Sequence, residues 1–266
     1  DEVQKYSSKV EKSHASTKDK ILLELGADRF QITESIVGEG SNNVKYLREF
    51  KTAFNGITLN ISTEQAERIR KVSGVKAVYP DYKVKALLMD SVPLIQGGIL
   101  VGQLDEDGND CSVSGKECIT GRGVTIGIID TGVDYTHSDL GGCLGNGCKV
   151  IRGWDFVNND DNPMDDHGHG THVAATAAGN GILKGVAPDA KIISYKVLDS
   201  GGSGYWSGVI AGIERSADPN QDGNFADHLD IISMSLGGYG NPDDPVSTAV
   251  DNVVNAGIVV VIAAGN

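Results

Sequence analysis

Hydrophobic and polar positions change rhythm twice along the chain. Residues 1–20, "DEVQKYSSKVEKSHASTKDK", carry no sustained apolar stripe and read as a flexible arm. From about Lys20 to Val84 the pattern is that of a small α+β unit. "KILLEL" and "GITLNI" read as strands, and "AVYPDYKVKAL" as a final extended segment. Between them "STEQAERIRKV" reads as a helix. Ser62 stands at the N-cap with Gln65 three residues on, a capping box, and Ala66, Ile69 and Val72 form the apolar stripe. "KVKALLMDSVPLIQGG" follows as a linker.

Beyond Gly123 the runs "VTIGIID", "KIISYKVL", "DIISMSL" and "IVVVIAAGN" lack polar alternation and are separated by helical periodicity. Trp206, Val209, Ile210 and Ile213 fall at i, i+3, i+4 and i+7. In the next helix Asp244 is placed to cap, Pro245 sits in the first turn, and Val246, Ala249, Val250 and Val253 face inward, with Gly257 placed to end it. Wholly apolar strands separated by amphipathic helices predict a parallel sheet covered on both faces, an α/β architecture. In such sheets functional groups collect at the carboxyl ends of strands. Here those ends are Asp130, the "LDSGGSG" turn, "SLGG" and Asn266.

Composition narrows the function classes. The chain has 266 residues, 39% of them hydrophobic, enough for one large domain or a small and a medium one. "GIVVVIAAG", the longest apolar run, is too short for a membrane span. A formal net charge of −13 argues against nucleic acid as partner and suits a protein that gathers divalent cations. No apolar signal segment is visible. The four cysteines come as two local pairs, Cys111/Cys118 and Cys143/Cys148, in Gly-rich loops. Three connectivities exist, and these spacings favour two local bridges made in an oxidising, extracellular compartment, with four free thiols as the alternative.

Half of the six histidines, His167, His169 and His172, lie in "DDHGHGTHVA". H-x-H-x-x-H resembles a zinc motif of metallo-β-lactamase-type hydrolases, but Thr171 stands where that motif has Asp. Alternatively, Asp130, at the end of a buried strand, orients one imidazole as a general base. A single D-T-G also occurs in aspartic proteases, which use two such carboxylates in an all-β fold. Taken in order, D-T-G, H-G-T-H-V-A, S-x-G-x-G, S-L-G-G and A-A-G-N resemble the subtilisin-like serine proteases over about Val92 to Asn266.

The resemblance implies a division into residues 1–20 as arm, 21–88 as a ferredoxin-like inhibitory propeptide, and 89–266 as the N-terminal part of a subtilisin-like catalytic domain. It implies Asp130 as orienting carboxylate, His169 as general base and Asn266 as oxyanion donor, with His172 a helix residue facing the core. Gly202, Ser203 and Gly204, with Ser235, Leu236 and Gly237, match two backbone rails that pair with an extended polypeptide substrate. If Ser91–Pro93 begins the mature enzyme, processing falls near Leu88–Met89, with the propeptide tail left in the cleft. The family's nucleophile lies in a G-T-S-x-A turn beyond the oxyanion Asn. Ser203, Ser233 and Ser235 lie in the rail segments, so the serine is expected on a separate C-terminal segment, and this chain alone is expected to be inactive. A different class of function, a non-catalytic inhibitor or binding protein, stays open.

Two acidic loops suggest calcium. "GWDFVNNDDNPMDD" resembles the loop before the catalytic His in thermitase-like members, with Asp155, Asp160 and Asn162 as ligands. "DPNQDGNFAD" carries D-x-N-x-D-G, the opening half of an EF-hand-like loop, offering Asp218, Asn220, Asp222, Asn224 and Asp227. Asp139 matches one ligand of a third family site, but the loop "GNGILKG" is short.

Overall fold

The computed structural model describes residues 2–25, 45–86, 104, 105, 107 and 109–265. A five-stranded, all-parallel sheet organises it, in the order β10-β8-β4-β6-β5. These strands are β4 (Thr125–Asp130), β5 (Val150–Asp155), β6 (Lys191–Lys196), β8 (Ile231–Met234) and β10 (Val259–Ile262). Three helices cover them: α4 (His169–Ala178), α5 (Trp206–Ala217) and α6 (Pro245–Asn255). A one-turn α3 (Cys111–Ser114) precedes the sheet.

Side-chain alternation divides the core between the two faces. Ile126, Ile128 and Ile192 join Ala174, Ala175 and Ala178 of α4. Ile129, Ile193 and Tyr195 join Val209, Ile210 and Ile213 of α5 and Ala249 and Val253 of α6. Asp244 caps α6 through Ser247 N–H at 2.7 Å with Pro245 at its first turn, and Gly257 follows its end at φ 107°. The central strand β4 has its sequence-adjacent strands on one side and the later ones on the other. Its carboxyl end is therefore the switch point of the sheet, where clefts open.

The N-terminal unit departs from its sequence pattern. Residues 1–20 were expected as a flexible arm and "KILLEL" as a strand, but both belong to one helix, α1 (Glu2–Leu25). Ile21 and Leu25, spaced i, i+4, pack on Ile69 of α2 (Thr63–Ile69), so a helical stripe wins over strand propensity. The capping box of α2 forms as expected: Gln65 N–H donates to Ser62 Oγ at 3.2 Å and Ser62 N–H to Gln65 Oε1 at 2.8 Å. β1 (Lys45–Phe50) and β2 (Gly56–Asn60) make an antiparallel hairpin.

The hairpin turn docks on α5 and α6. Glu214 of α5 accepts the backbone N–H groups of Lys51, Thr52, Ala53 and Phe54 at 2.7–3.2 Å. Asn252 of α6 donates to the Ala53 carbonyl, and Phe50 and Ala53 are buried with the main core. Both disulfides are local, Cys111–Cys118 and Cys143–Cys148, with Cα atoms 5.3 and 5.7 Å apart.

Candidate active site

Asp130 ends β4, and His169 is the first residue of α4. Asp130 Oδ1 lies 2.6 Å from His169 Nδ1, and each side chain is 1% exposed. The carboxylate also accepts Thr131 N–H at 2.7 Å. A carboxylate facing Nδ1 calls for the proton there, leaving Nε2 as the acceptor. The helix comes this close because residue 170 is glycine. A Cβ there would sit 2.1 Å from the Gly132 carbonyl oxygen and 3.2 Å from Asp130 Cβ.

The loop that delivers His169 is knotted around Asp165, which the sequence reading did not single out. One carboxylate oxygen accepts from Thr131 Oγ1, His167 N–H and Gly168 N–H at 2.9 Å each. The other accepts Thr171 N–H at 2.9 Å and Thr171 Oγ1 at 2.6 Å. Burial works to raise its pKa, but the bonds from Thr171, Gly168 and His167 outweigh it and hold the carboxyl below its usual range. Thr131 Oγ1 in turn accepts Gly170 N–H at 2.8 Å, tying the Asp130 turn to the start of α4.

The other two histidines take different places. His167 is exposed, its ring centroid 6.3 Å from that of His169. His172 was expected to face the core and is instead exposed. The buried stripe of α4 runs through Gly170, Ala174, Ala175 and Ala178, and a residue two positions from Ala174 falls on the opposite side.

The segments read as rails come together in a second, three-stranded sheet. β7 (Ser203–Tyr205) and β9 (Leu236–Gly238) flank β3 (Lys83–Ala86), and both pairings are antiparallel. Val84 faces Gly204 on one side and Gly238 on the other, and Lys85 faces Ser203 and Gly237. Gly202 and Ser235 immediately precede the paired residues of β7 and β9. Val84 is buried at 3% exposure with Trp206, Val209 and Leu236. The Tyr82 ring meets Trp206 edge-on at 5.0 Å, and Asp81 accepts Ser207 N–H at 3.0 Å and Ser207 Oγ at 2.6 Å. Helix α5 has no side-chain cap of its own, and this distant carboxylate serves as one. Leu88, Met89 and Asn266 lie outside the described residues.

The acidic loops differ. Asp218, Asp222 and Asp227 offer carboxylate oxygens within 4.8 Å of one another, the one such group among the described residues. Asp218 Oδ1 is buried with no hydrogen-bond partner, while Asn220 and Asn224 shape the loop by accepting Asp222 N–H and Ala226 N–H at 2.8 and 3.2 Å. In the other loop both oxygens of Asp155 are taken by Val157 N–H and Asn158, Asp160 accepts Asn162 N–H, and Asn162 Oδ1 accepts the Tyr135 hydroxyl. Asp139 is met by the N–H groups of Ile182 and Leu183 at 2.9 and 3.1 Å.

Among known proteins, residues 121–266 match the subtilase family and residues 1–87 match peptidase inhibitor I9. Minor extracellular protease Vpr of Bacillus subtilis (strain 168) is 39% identical over 240 residues, covering 84% of this chain and 28% of Vpr. Serine protease AprX of the same organism is 36% identical over 208 residues, 74% of this chain and 42% of that protein. Thermitase of Thermoactinomyces vulgaris is 45% identical over 152 residues, 55% of this chain and 48% of thermitase. The chain thus spans less than half the length of each of these relatives. It belongs to the subtilase family of serine proteases, with an inhibitor I9 propeptide at its N-terminus.

Proposed function

We propose that these residues are the N-terminal part of an exported subtilisin-like serine endopeptidase precursor that cleaves polypeptides with an Asp-His-Ser triad. The buried Asp130–His169 pair, 2.6 Å apart at the switch point of the sheet, carries this reading. Asp130 orients the imidazole and stabilises its charged form. Nε2 of His169 takes the serine proton during attack and returns it to the leaving amine. Asn266 donates to the oxyanion. The nucleophile comes from sequence outside these 266 residues, since Ser203 lies in β7, Ser233 in the middle of β8, and Ser235 between β8 and β9.

Substrate binds as a strand between β7 and β9, main-chain bonds supplying affinity and the apolar side chains that cover Val84, Trp206 and Leu236 among them, sorting side chains. In the precursor β3 occupies that place, which accounts for inhibition, and processing near Leu88–Met89 leaves the tail bound as a product. Two local disulfides and the name of the extracellular relative Vpr support export. The test is hydrolysis of a fluorogenic peptide by the full-length protein. His169→Ala should abolish it, and retained activity would contradict the reading.

Calcium belongs to the same proposal as a structural ion. Asp218, Asp222 and Asp227 fit it, because three carboxylates converge there and a buried Asp218 oxygen has no hydrogen-bond partner. The Asp155–Asn162 loop satisfies its own carboxylates and fits a cation less well. Bound calcium would stabilise the folded chain by mass action, so chelation should lower Tm in the parent and not in Asp222→Asn.

A further inference from the structure

Lys196 is the last residue of β6 and stands beside Asp130 in the parallel register of β4 and β6. Its side chain is 1% exposed, on the face of β6 that also carries the buried Ile192 and Ser194. An ammonium group has three N–H donors, and burying it without partners is costly. All three find acceptors: the Thr131 carbonyl at 2.8 Å, the Leu198 carbonyl at 2.9 Å and the Asp166 carboxylate at 2.6 Å.

Each acceptor belongs to a different arm of the site. Thr131 follows the orienting Asp130, Asp166 lies three residues before His169, and Leu198 leads into β7. One cation therefore fixes the acid, the base and one rail of the cleft relative to each other. Stability alone does not call for it, since a buried ion pair roughly breaks even against a well-packed apolar side chain.

We propose that Lys196, with Asp166 as its counter-charge, is a positioning residue for peptide hydrolysis, holding the Asp130–His169 pair in line with the substrate strand. The inference rests on Asp130 and His169 being the catalytic pair. Asp130 contacts His169 directly and the His167 ring centroid lies 6.3 Å from its own, while Asp165 and Lys196 are tied to it through Thr131, and Asp166 through Lys196. Lys196 favours the neutral imidazole and Asp166 the charged one, and Asp166, 49% exposed, is the more screened of the two. Removing either leaves the other unbalanced, with opposite consequences for His169.

The experiment compares Lys196→Met and Asp166→Asn with the parent in the full-length enzyme, reading kcat, KM and the pH profile of kcat/KM. His169→Ala serves as control. Lys196→Met should lose about 10- to 100-fold in kcat/KM, carried by kcat with KM little changed, and its acid limb should move to higher pH. Asp166→Asn should lose less, and its acid limb should move to lower pH. A fall in Tm with unchanged kcat and pH profile, or limbs that move in the same direction, would overturn the role. Should Lys196→Met fail to fold, Asp166→Asn decides alone, and an unmoved limb then overturns it. Hydrolysis surviving in His169→Ala would instead overturn the assignment of the catalytic pair.

Discussion

In β4, Ile128 and Ile129 are completely buried, whereas in β10 Val259, Val261 and Ile262 are 57%, 56% and 49% exposed. Both strands come from runs without polar alternation, "VTIGIID" and "GIVVVIAAGN", and both run parallel in one sheet. The difference lies in their neighbours. β4 is hydrogen-bonded on both sides, by β6 and β8, and is sandwiched between α4 and α5. Among the described residues β10 pairs with β8 alone. An apolar run states that a strand can be buried on both faces, and the partners decide whether it is. β4 is therefore a stable platform from which Asp130 can be aimed.

The largest effect that would break this contrast is chemical. Asp130→Asn at the end of β4 should leave folding nearly intact and lower kcat of the full-length enzyme by about ten-thousand-fold, the drop known for the same exchange in a serine protease triad. A loss of less than tenfold would remove β4 from its place at the catalytic centre. Packing gives the next effect. Ile128→Ala should cost about 2–5 kcal/mol in denaturant unfolding of this chain, through transfer and cavity terms. Val261→Ala on the exposed strand should stay within about 0.5 kcal/mol. Equal costs would mean that β10 is covered in solution.

A smaller effect concerns the hairpin that covers α5 and α6. Burial raises the Glu214 carboxyl above its ordinary value, against the bonds from Phe54, Thr52, Lys51 and Ala53. A raised folded-state pKa favours the protonated form in the folded chain. Glu214's contribution is thus fully present below the ordinary carboxylate range and is lost as pH rises through the raised value. The stability of the parent relative to Glu214→Gln should therefore fall between acid and neutral pH, as read by Tm at a series of pH values. A rise over that interval would contradict the direction. The smallest effect is on self-association. Val261→Lys should reduce concentration-dependent association in sedimentation, because a charge on an exposed edge strand opposes pairing with another chain.

Elements with a local signature were legible in the sequence: the capping box at Ser62 and Gln65, the buried stripe of α5, Asp244 and Pro245 at the start of α6, and Asp130 at the end of an apolar strand. Elements fixed by distant partners were not. "KILLEL" became helix because Ile21 and Leu25 find Ile69. The arms of the active-site network, Asp165, Asp166 and Lys196, are joined to one another and to the Asp130 turn through contacts 30 or more residues apart, as between Lys196 and Asp166 or between Thr131 and Asp165. One signal was present. A lysine closing the apolar run "KIISYK" is a charge that has to be buried and paired.

The central claim, a subtilase catalytic pair poised for a serine outside these residues, is tested most directly by labelling with a fluorophosphonate. The 266-residue chain, the full-length protein and its His169→Ala variant would be compared on a denaturing gel. The account predicts a labelled full-length protein, and no label on either the 266-residue chain or the His169→Ala variant. A label on a serine within these 266 residues, or undiminished labelling of His169→Ala, would contradict it.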